Sequence, residues 1–477
     1  PLEVAALGMS QTIRLLVLVA VLSVTAGSMS LAAQAIGRKD KDSLALVTRQ
    51  SLLMAVLLGV ALSVLGLLFS GPILTFLAGN SDPAVVEHGL GYLRIFFLGG
   101  VFLTLNFAIN ALMQGAGDTV TPLVLVGIIN VVNILLNYLL IFGPGPFPEL
   151  GLEGAALGTL VARGLGAVLG LGLFYSGKNV IKLRGFDYRP QWQYFKNILS
   201  IGIPSGLQGI ARNMTQVFVL RFVTSTSAGA YGAAALAIGS QIESLASMPV
   251  LGINVAATAL VGKSIGAWQV EEAKLRGNIA IGFGVIVMLV LSLPLILFAP
   301  QLILFFEPGA HPTIQEAGKS YLQINGLSYL FLAIAMVTNG ALRGAGDTLP
   351  GLLGTLIGRW FVTIPLAYVL ALPLGWGING IWLAMAVGNV IQGIFVLVRW
   401  WRERWLVVAP KTTDLYRLHL RALPVTTQRQ FLREVRTPLM RLQGVSEHVD
   451  ARGVCYTLPE KTVRYSFNQH AYVQEDS

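Results

Sequence analysis

Asn110-Ala111-Leu112-Met113-Gln114-Gly115-Ala116-Gly117-Asp118-Thr119 returns 229 positions later as Asn339-Gly340-Ala341-Leu342-Arg343-Gly344-Ala345-Gly346-Asp347-Thr348. The same offset relates Tyr92-Leu93 to Tyr321-Leu322 and Ile36-Gly37 to Ile265-Gly266. Each Gly-Ala-Gly-Asp-Thr copy follows an apolar run. Glycine suits the left-handed residue that ends a helix, Asp or Thr can cap the next helix, and Pro122 or Pro350 fits that helix's first turn. A phosphate loop would need a Lys and a strand-turn-helix setting, and both are missing. The element reads as a fastener between two helices. Gly151-Leu152-Glu153-Gly154 is echoed by Gly377-Ile378-Asn379-Gly380 with a slip of three residues. The chain is a tandem duplication.

Outward from these turns the sequence is apolar. Of 477 residues, 54% are hydrophobic and 12% charged, against about 25% charged in soluble domains. A helix crosses about 30 Å of hydrocarbon with roughly 20 mostly apolar residues. Eleven such stretches are predicted, near 11–35, 46–69, 92–113, 122–142, 154–175, 198–222, 231–261, 278–298, 321–342, 352–370 and 380–398. Leu, Val, Ala and Gly occupy every face of them, which excludes the alternation of a barrel strand and leaves helices to satisfy the backbone. The predicted fold is an all-α polytopic membrane protein.

The formal net charge of +10 invites a nucleic-acid reading, but the basic residues crowd particular loops. Arg38, Lys39 and Lys41 follow the first span; Lys178, Lys182, Arg184, Arg189 and Lys196 follow the fifth; Lys263, Lys274 and Arg276 follow the seventh; Arg399, Arg402 and Arg404 follow the last. Connections 71–91, 143–153, 225–230 and 373–377 carry no Lys or Arg, and the remaining one carries only Lys319. The positive-inside rule places the basic loops in the cytoplasm. The expected setting is the lipid bilayer of the cell's inner (plasma) membrane, crossed many times, with no nucleic-acid partner.

The basic loops after Ile36-Gly37 and Ile265-Gly266 lie on one side, so the repeats have parallel orientation about an axis along the membrane normal. The counterpart of the 198–222 span would precede Pro1, giving five helices in the first repeat and six in the second. Twelve are expected in a complete protein. The expected division is an amino-terminal bundle (1–177), a cytoplasmic linker (178–197), a carboxy-terminal bundle (198–405) and a polar cytoplasmic tail (406–477). The single Cys455 and five His outside the spans suggest no metal or cofactor site.

The paired Gly-Ala-Gly-Asp-Thr turns resemble those of the multidrug and toxic compound extrusion family. Asn133-Ile134-Leu135-Leu136-Asn137-Tyr138 with Ile141-Phe142-Gly143 is similar to its fifth helix. Arg359-Trp360 through Pro365-Leu366-Ala367-Tyr368 to Gly380-Ile381-Trp382 resembles its eleventh and twelfth. The likeness covers roughly 1–401, with the first helix absent. It implies a two-lobed antiporter that expels amphipathic, often cationic compounds in exchange for Na⁺ or H⁺. In the family a first-helix aspartate and polar residues of the fourth to sixth helices bind the coupling cation. Many members have Asp where Asn137 stands here, and one branch has carboxylates on the seventh and tenth helices, where this chain has Arg212 or Asn213 and apolar residues. The resemblance is closer to the DNA-damage-inducible branch.

Within the predicted spans Glu243 stands out, because a charge at mid-membrane costs at least about 2.5 kcal/mol. With Ser240, Ser247 and Asn254 it forms one polar stripe. It reads as an ion or substrate contact, or as a structural carboxylate paired with Arg163, Arg212 or Arg359. For Arg359 itself, packing or snorkelling is the favoured reading. Asn130, Asn133 and Asn137 share one helix face, as do Asn106, Asn110 and Gln114. Their amides suit a hard cation or a hydrogen-bonding substrate, and equally well serve as interhelical glue. Gln208, Arg212 and Gln216 share a face expected to line a central cavity.

The candidate binding residues are thus Glu243, Asn133, Asn137, Asn130, Asn110, Asn106, Gln208, Arg212 and Asn254, serving small organic cations or drugs and a coupling Na⁺ or H⁺. A monomer is expected. Alternatives are a lipid-linked oligosaccharide flippase, which would favour a strongly basic cavity, and a lipid-modifying membrane enzyme, which would need a His, Asp or metal constellation that is not visible. The tail after Trp405 is Arg-rich and reads as a disordered extension, a regulatory tail or a frameshift product, the first being favoured, with 415–423 a candidate amphipathic helix.

Overall fold

A computed structural model describes residues 2–78, 83–177, 179–183, 185, 188–267, 269–403 and 405, then strands at 446–450, 453–457, 462–466 and 471–475. Of 2–16, 76–78, 83–88 and the strands, only the backbone is described. Lys178, Arg184 and Arg404 of the basic loops, and the candidate helix at 415–423, lie outside these residues. The chain forms two compact units, Pro1–Trp405 and Leu406–Ser477.

The first unit is all helical. In order it contains α1 (Leu2–Gly37), α2 (Lys41–Ala78), α3 (Pro83–Leu98), α4 (Gly100–Gly115), α5 (Val120–Phe142), α6 (Gly151–Tyr175), α7 (Trp192–Thr224), α8 (Gly229–Gly266), α9 (Val270–Leu297), α10 (Ala299–Phe306), α11 (Pro312–Gly326), α12 (Tyr329–Ala345) and α13 (Leu349–Thr355). A π-helical segment (Leu356–Thr363), α14 (Ile364–Ala371) and α15 (Gly377–Trp401) follow.

Among the described residues eight spans are long and apolar enough to cross a membrane, or ten if two bent pairs each count as one. The bent pairs are α3 with α4, at 51°, and α11 with α12, at 55°. Their breaks fall at Leu98-Gly99 and Leu327-Ser328, again 229 apart. Counting α7, a 33-residue helix whose Gln208, Arg212 and Gln216 lower its apolarity, gives the eleven spans expected. Large apolar side chains cover the outside of this unit. On α5, for example, Leu123, Val131, Ile134 and Phe142 are each more than half exposed, as a lipid-facing helix requires.

The duplicated turns close as anticipated. Gly117 and Gly346 have φ of 86° and 88°. The Gly117 amide donates to Gln114 O and that of Asp118 to Met113 O, while Gly346 and Asp347 donate to Arg343 O and Leu342 O. This is one Schellman closure made twice.

Duplication also governs packing. A Cβ on Gly115 would meet Met29 O at 2.4 Å, and one on Gly344 would meet Thr258 O at 2.5 Å. These contacts, α4 on α1 and α12 on α8, correspond under the 229 offset. Where the lobes meet, Gly37 closes on Lys263 O and Gly266 on Gln34 O, each leaving 2.0 Å for a Cβ. The two contacts are reciprocal, and Ala33 meets Gly262 while Gly37 also meets Gly266, so partners advance together and α1 and α8 run parallel beside a pseudo-two-fold axis. The structure is a pair of parallel-repeat helical bundles.

The second unit contains a four-stranded antiparallel meander: β1 (Ser446–Asp450), β2 (Gly453–Thr457), β3 (Thr462–Ser466) and β4 (Ala471–Glu475). This differs from the disordered tail favoured on composition. The strands are short but rich in β-formers, with Val454 opposite Tyr465 and Tyr465 opposite Tyr472. An average over an Arg-rich tail hides that pattern.

Candidate functional site

The deepest polar cluster lies in the second lobe. On α8, the Glu243 carboxylate is half-buried and accepts a hydrogen bond from Tyr321 Oη at 2.6 Å. Tyr321 opens the membrane part of α11 and is fully buried, its ring edge-on to Trp382 of α15 at 4.9 Å. Trp382 Nε1 in turn donates to Ala317 O on α11. Glycine at 239 makes this fit, because a Cβ there would stand 2.4 Å from the Tyr321 ring. Tyr329 of α12 is fully buried next to this pair, and its hydroxyl makes no well-formed hydrogen bond.

Arg359 completes the cluster. It is 6% exposed and close enough to Glu243 to be attracted by its charge, yet no ion pair within 4 Å joins them, and its Nε has no partner. Snorkelling is thus not what this arginine does. It occupies the π-helical segment, where Thr363 Oγ1 donates back five residues to Gly358 O at 3.0 Å. Such segments occur frequently at functional sites. Arg212 on α7 is exposed and near enough to repel Arg359. The offset that relates the repeats leads from Glu243 to Arg14, so the acid has no acidic twin.

In the first lobe Asn133 and Asn137 of α5 hydrogen-bond each other at 3.3 and 3.5 Å, and Asn133 Nδ2 reaches Thr159 Oγ1 of α6 at 3.1 Å. Thr159 also lines a small cavity with Tyr92, Phe96, Gly99, Leu160 and Arg163. Tyr92 is the counterpart of Tyr321, so each lobe sets the same tyrosine near an arginine.

The remaining expected residues divide by surroundings. Asn106 is buried, its Nδ2 donating to Phe102 O and Arg163 O, both at 2.7 Å, which ties α4 to α6. Asn254 likewise ties α8 to α12 through Met336 O. Gln208 donates to Thr355 Oγ1 at 3.1 Å. Asn130 is exposed and Asn110 half-buried. Glu243 is brought together with Arg359, which Arg212 in turn neighbours, while the Asn133–Asn137 pair belongs to the other lobe. Sequence reasoning missed Tyr321, Tyr329 and Thr159. The repeated Tyr-Leu at 92 and 321 was the available signal.

Among the described residues the closest contacts between the lobes gather at one end. On α7, Ile198, Gly202, Gly206 and Gly209 lie against Gly27, Ser23 and Val19 of α1. One helical turn further the same face carries Asn213, Gln216 and Leu220, all exposed. Ser30 Oγ donates to Arg343 O at 2.7 Å and Gln34 Nε2 to Gly344 O at 3.0 Å, again at the basic-loop end. Among the described residues the bundles are thus sealed there, and Arg212 lies on the exposed stretch of α7 beyond the seal.

This arrangement is shared with known proteins. The MatE family model matches residues 1–139 and 204–369. The chain belongs to that family. A probable multidrug resistance protein NorM of Thermotoga maritima is 30% identical over 414 residues, covering 86% of this chain and 87% of that protein. An FAD transporter of Shewanella oneidensis is 24% identical, covering 82% and 84%. Among solved structures, a MOP superfamily transporter from Pyrococcus furiosus superposes with a TM-score of 0.78 at 23% identity, over 85% of this chain and 88% of that one. A MATE family transporter described as outward-facing gives 0.76 at 23% identity over the same shares. As a MatE protein, the chain is a multi-pass membrane transporter and not an enzyme.

Proposed function

We propose that this MatE protein is a secondary active antiporter that exports amphipathic, often cationic organic compounds in exchange for H⁺ or Na⁺ by alternating access. The observation that carries the reading is a carboxylate inside the membrane, at Glu243, in a two-lobed structure closed at one end. An intramembrane acid is expensive unless it serves a pathway. Glu243 lies about 30 Å along α8 from the seal at Gly262, at 1.5 Å per residue, so it faces the open end. With the basic loops in the cytoplasm, the state is outward-facing, the membrane is the cell's inner membrane and the tail is cytoplasmic.

The coupling site is assigned to Glu243 with Tyr321, and Arg212 and Gln208 border the substrate path. The Asn133–Asn137–Thr159 group is a second contact on the facing lobe. Asn106 and Asn254 hold helices together. The experiment is uptake of a fluorescent organic cation into inside-out vesicles under imposed H⁺ or Na⁺ gradients, with Glu243→Gln in parallel. Gradient-driven uptake that collapses in the variant is expected. Uptake that survives the substitution moves coupling to the other lobe, and no uptake of any tested cation or drug removes the export reading.

A further inference from the structure

We propose, on the reading that the second lobe carries the coupling site, that the coupling ion is a proton held by Glu243, and that Arg359 is a tethered cation that takes the carboxylate when the proton leaves.

The donors around Glu243 argue for it. The groups facing the carboxylate are Tyr321 from α11, Tyr329 from α12 and Arg359 from the π-helical segment, with Arg212 of α7 near enough to Arg359 to repel it. Trp382 of α15, which backs Tyr321, is uncharged. Guanidinium groups offer hydrogen-bond donors and no acceptor. Tyr321 already points its hydrogen at Oε2, the opposite of what a metal ligand does. A hard metal cation gathers several oxygens, about six or more for calcium, whereas the side chains recorded against Glu243 are two phenols, which can donate, and a guanidinium, which can only donate. A proton needs a single oxygen.

Arg359 supplies the second half. A buried guanidinium is costly unless it is paired, and this one, 6% exposed, has an unpartnered Nε and stops short of its nearest acid. Its position makes sense if the pair forms in another state. This structure shows the carboxyl on Tyr321 with Arg359 apart, and in the proposed cycle that is the geometry of the protonated, uncharged acid. When the acid O–H bond breaks, the proton passes to water and the bonding electrons stay on the carboxylate. Arg359 then closes on that carboxylate, and the local charge falls by one. The π-helical segment gives Arg359 a place to move, since its loose turn can tighten by one hydrogen-bond register. An organic cation would compete with Arg359 and the proton for the same oxygens, which is what exchange requires.

The test uses the purified full chain in lipid nanodiscs, following the carboxylic-acid C=O stretch by infrared difference spectroscopy across pH, with and without Na⁺. The expected result is one band that titrates, vanishes in Glu243→Gln and ignores Na⁺. Arg359→Gln should move its midpoint upward by about one pH unit, because a neighbouring cation favours the charged acid. Arg359→Lys, which keeps the charge, should hold it near the parent value and guards against misfolding of the Gln variant. A band that Na⁺ erases at constant pH, with radioactive Na⁺ bound by the parent and lost in Glu243→Gln, overturns the proposal. So does a midpoint that Arg359→Gln leaves in place. Proteoliposome uptake under either gradient is run alongside. A titrating band without uptake sinks the export reading and leaves the proton site standing, whereas uptake driven by Na⁺ alone sinks the proton site and leaves export standing.

Discussion

Gly202 of α7 packs so closely on Ser23 of α1 that a Cβ on it would lie 2.0 Å from the Ser23 carbonyl oxygen. Backbone meets backbone there, and no side chain can swing away to make room.

Gly202→Val should therefore force the bundles apart at the sealed end. Overpacking of this kind costs about 1–3 kcal/mol, and the strain is relieved in any state where α1 and α7 separate. Spin-label distances across the seal, between positions 34 and 263, should lengthen and broaden relative to the parent. An unchanged distance distribution would mean that α1 and α7 move as one body.

Tyr321→Phe removes one oxygen and keeps the ring against Trp382. A hydrogen bond to a charged group contributes about 1.5–3 kcal/mol, so thermal stability in detergent should fall by less than that range if Glu243 is protonated in the resting state. Uptake should drop by about tenfold or more, the equivalent of 1.4 kcal/mol. Parent-like uptake at all pH values would exclude Tyr321 from the mechanism.

The asparagines should separate by consequence. Asn106→Ala breaks a tie between α4 and α6 and is expected to cost about 0.6 to 1.7 kcal/mol of stability, the range for such bonds in membranes, with uptake per folded molecule unchanged. Asn137→Ala should cost similar stability yet reduce uptake several-fold. Initial rates normalised to folded protein distinguish the two, and equal rates for both variants would reduce the Asn133–Asn137 pair to glue.

Asp347 provides a pH test outside the spans. Burial raises its carboxyl above the ordinary range, and Arg399, at 3.7 Å, pulls it part of the way back. A carboxyl that holds its proton more tightly when folded stabilises the fold below the unfolded-state value, and that stability is lost as pH rises through the raised one. Asp347→Asn removes this loss. The melting temperature of the variant relative to the parent should climb as pH increases above the usual Asp range, and a flat difference would contradict the assignment.

Much of this architecture was legible in the residues. The 229-residue offset placed both Schellman turns and the parallel lobes, because hydrophobic length and glycine geometry are local properties, whereas the breaks at Leu98-Gly99 and Leu327-Ser328 fell inside spans read as unbroken. Glu243 was legible as a charge out of place. Its surroundings were not. Tyr321, Tyr329 and Arg359 come from three other elements, 78 to 116 residues away in sequence, and only packing brings them together. Asn106 and Asn137 look alike in sequence, and their different roles follow from what α6 presents to each: the backbone carbonyl of Arg163 in one case and, through Asn133, the Thr159 hydroxyl in the other. The strands of the tail were missed because composition averages over the alternation that makes a strand.

The repeated turns now hold unequal positions. Asp347 and Thr348 are buried, with Thr348 Oγ1 bonded to Ile201 O at 2.8 Å, whereas Gly117 and Thr119 face outward and Asp118 only caps its own helix through the Thr121 amide. Two copies of one pentapeptide thus carry different structural constraints. Drift can reach residues 117–119 at the expense of one helix cap, while a change at 347 or 348 disturbs three helices together. Random mutagenesis should recover functional variants freely in the first copy and rarely in the second, so that a symmetric backbone tolerates change on one side only.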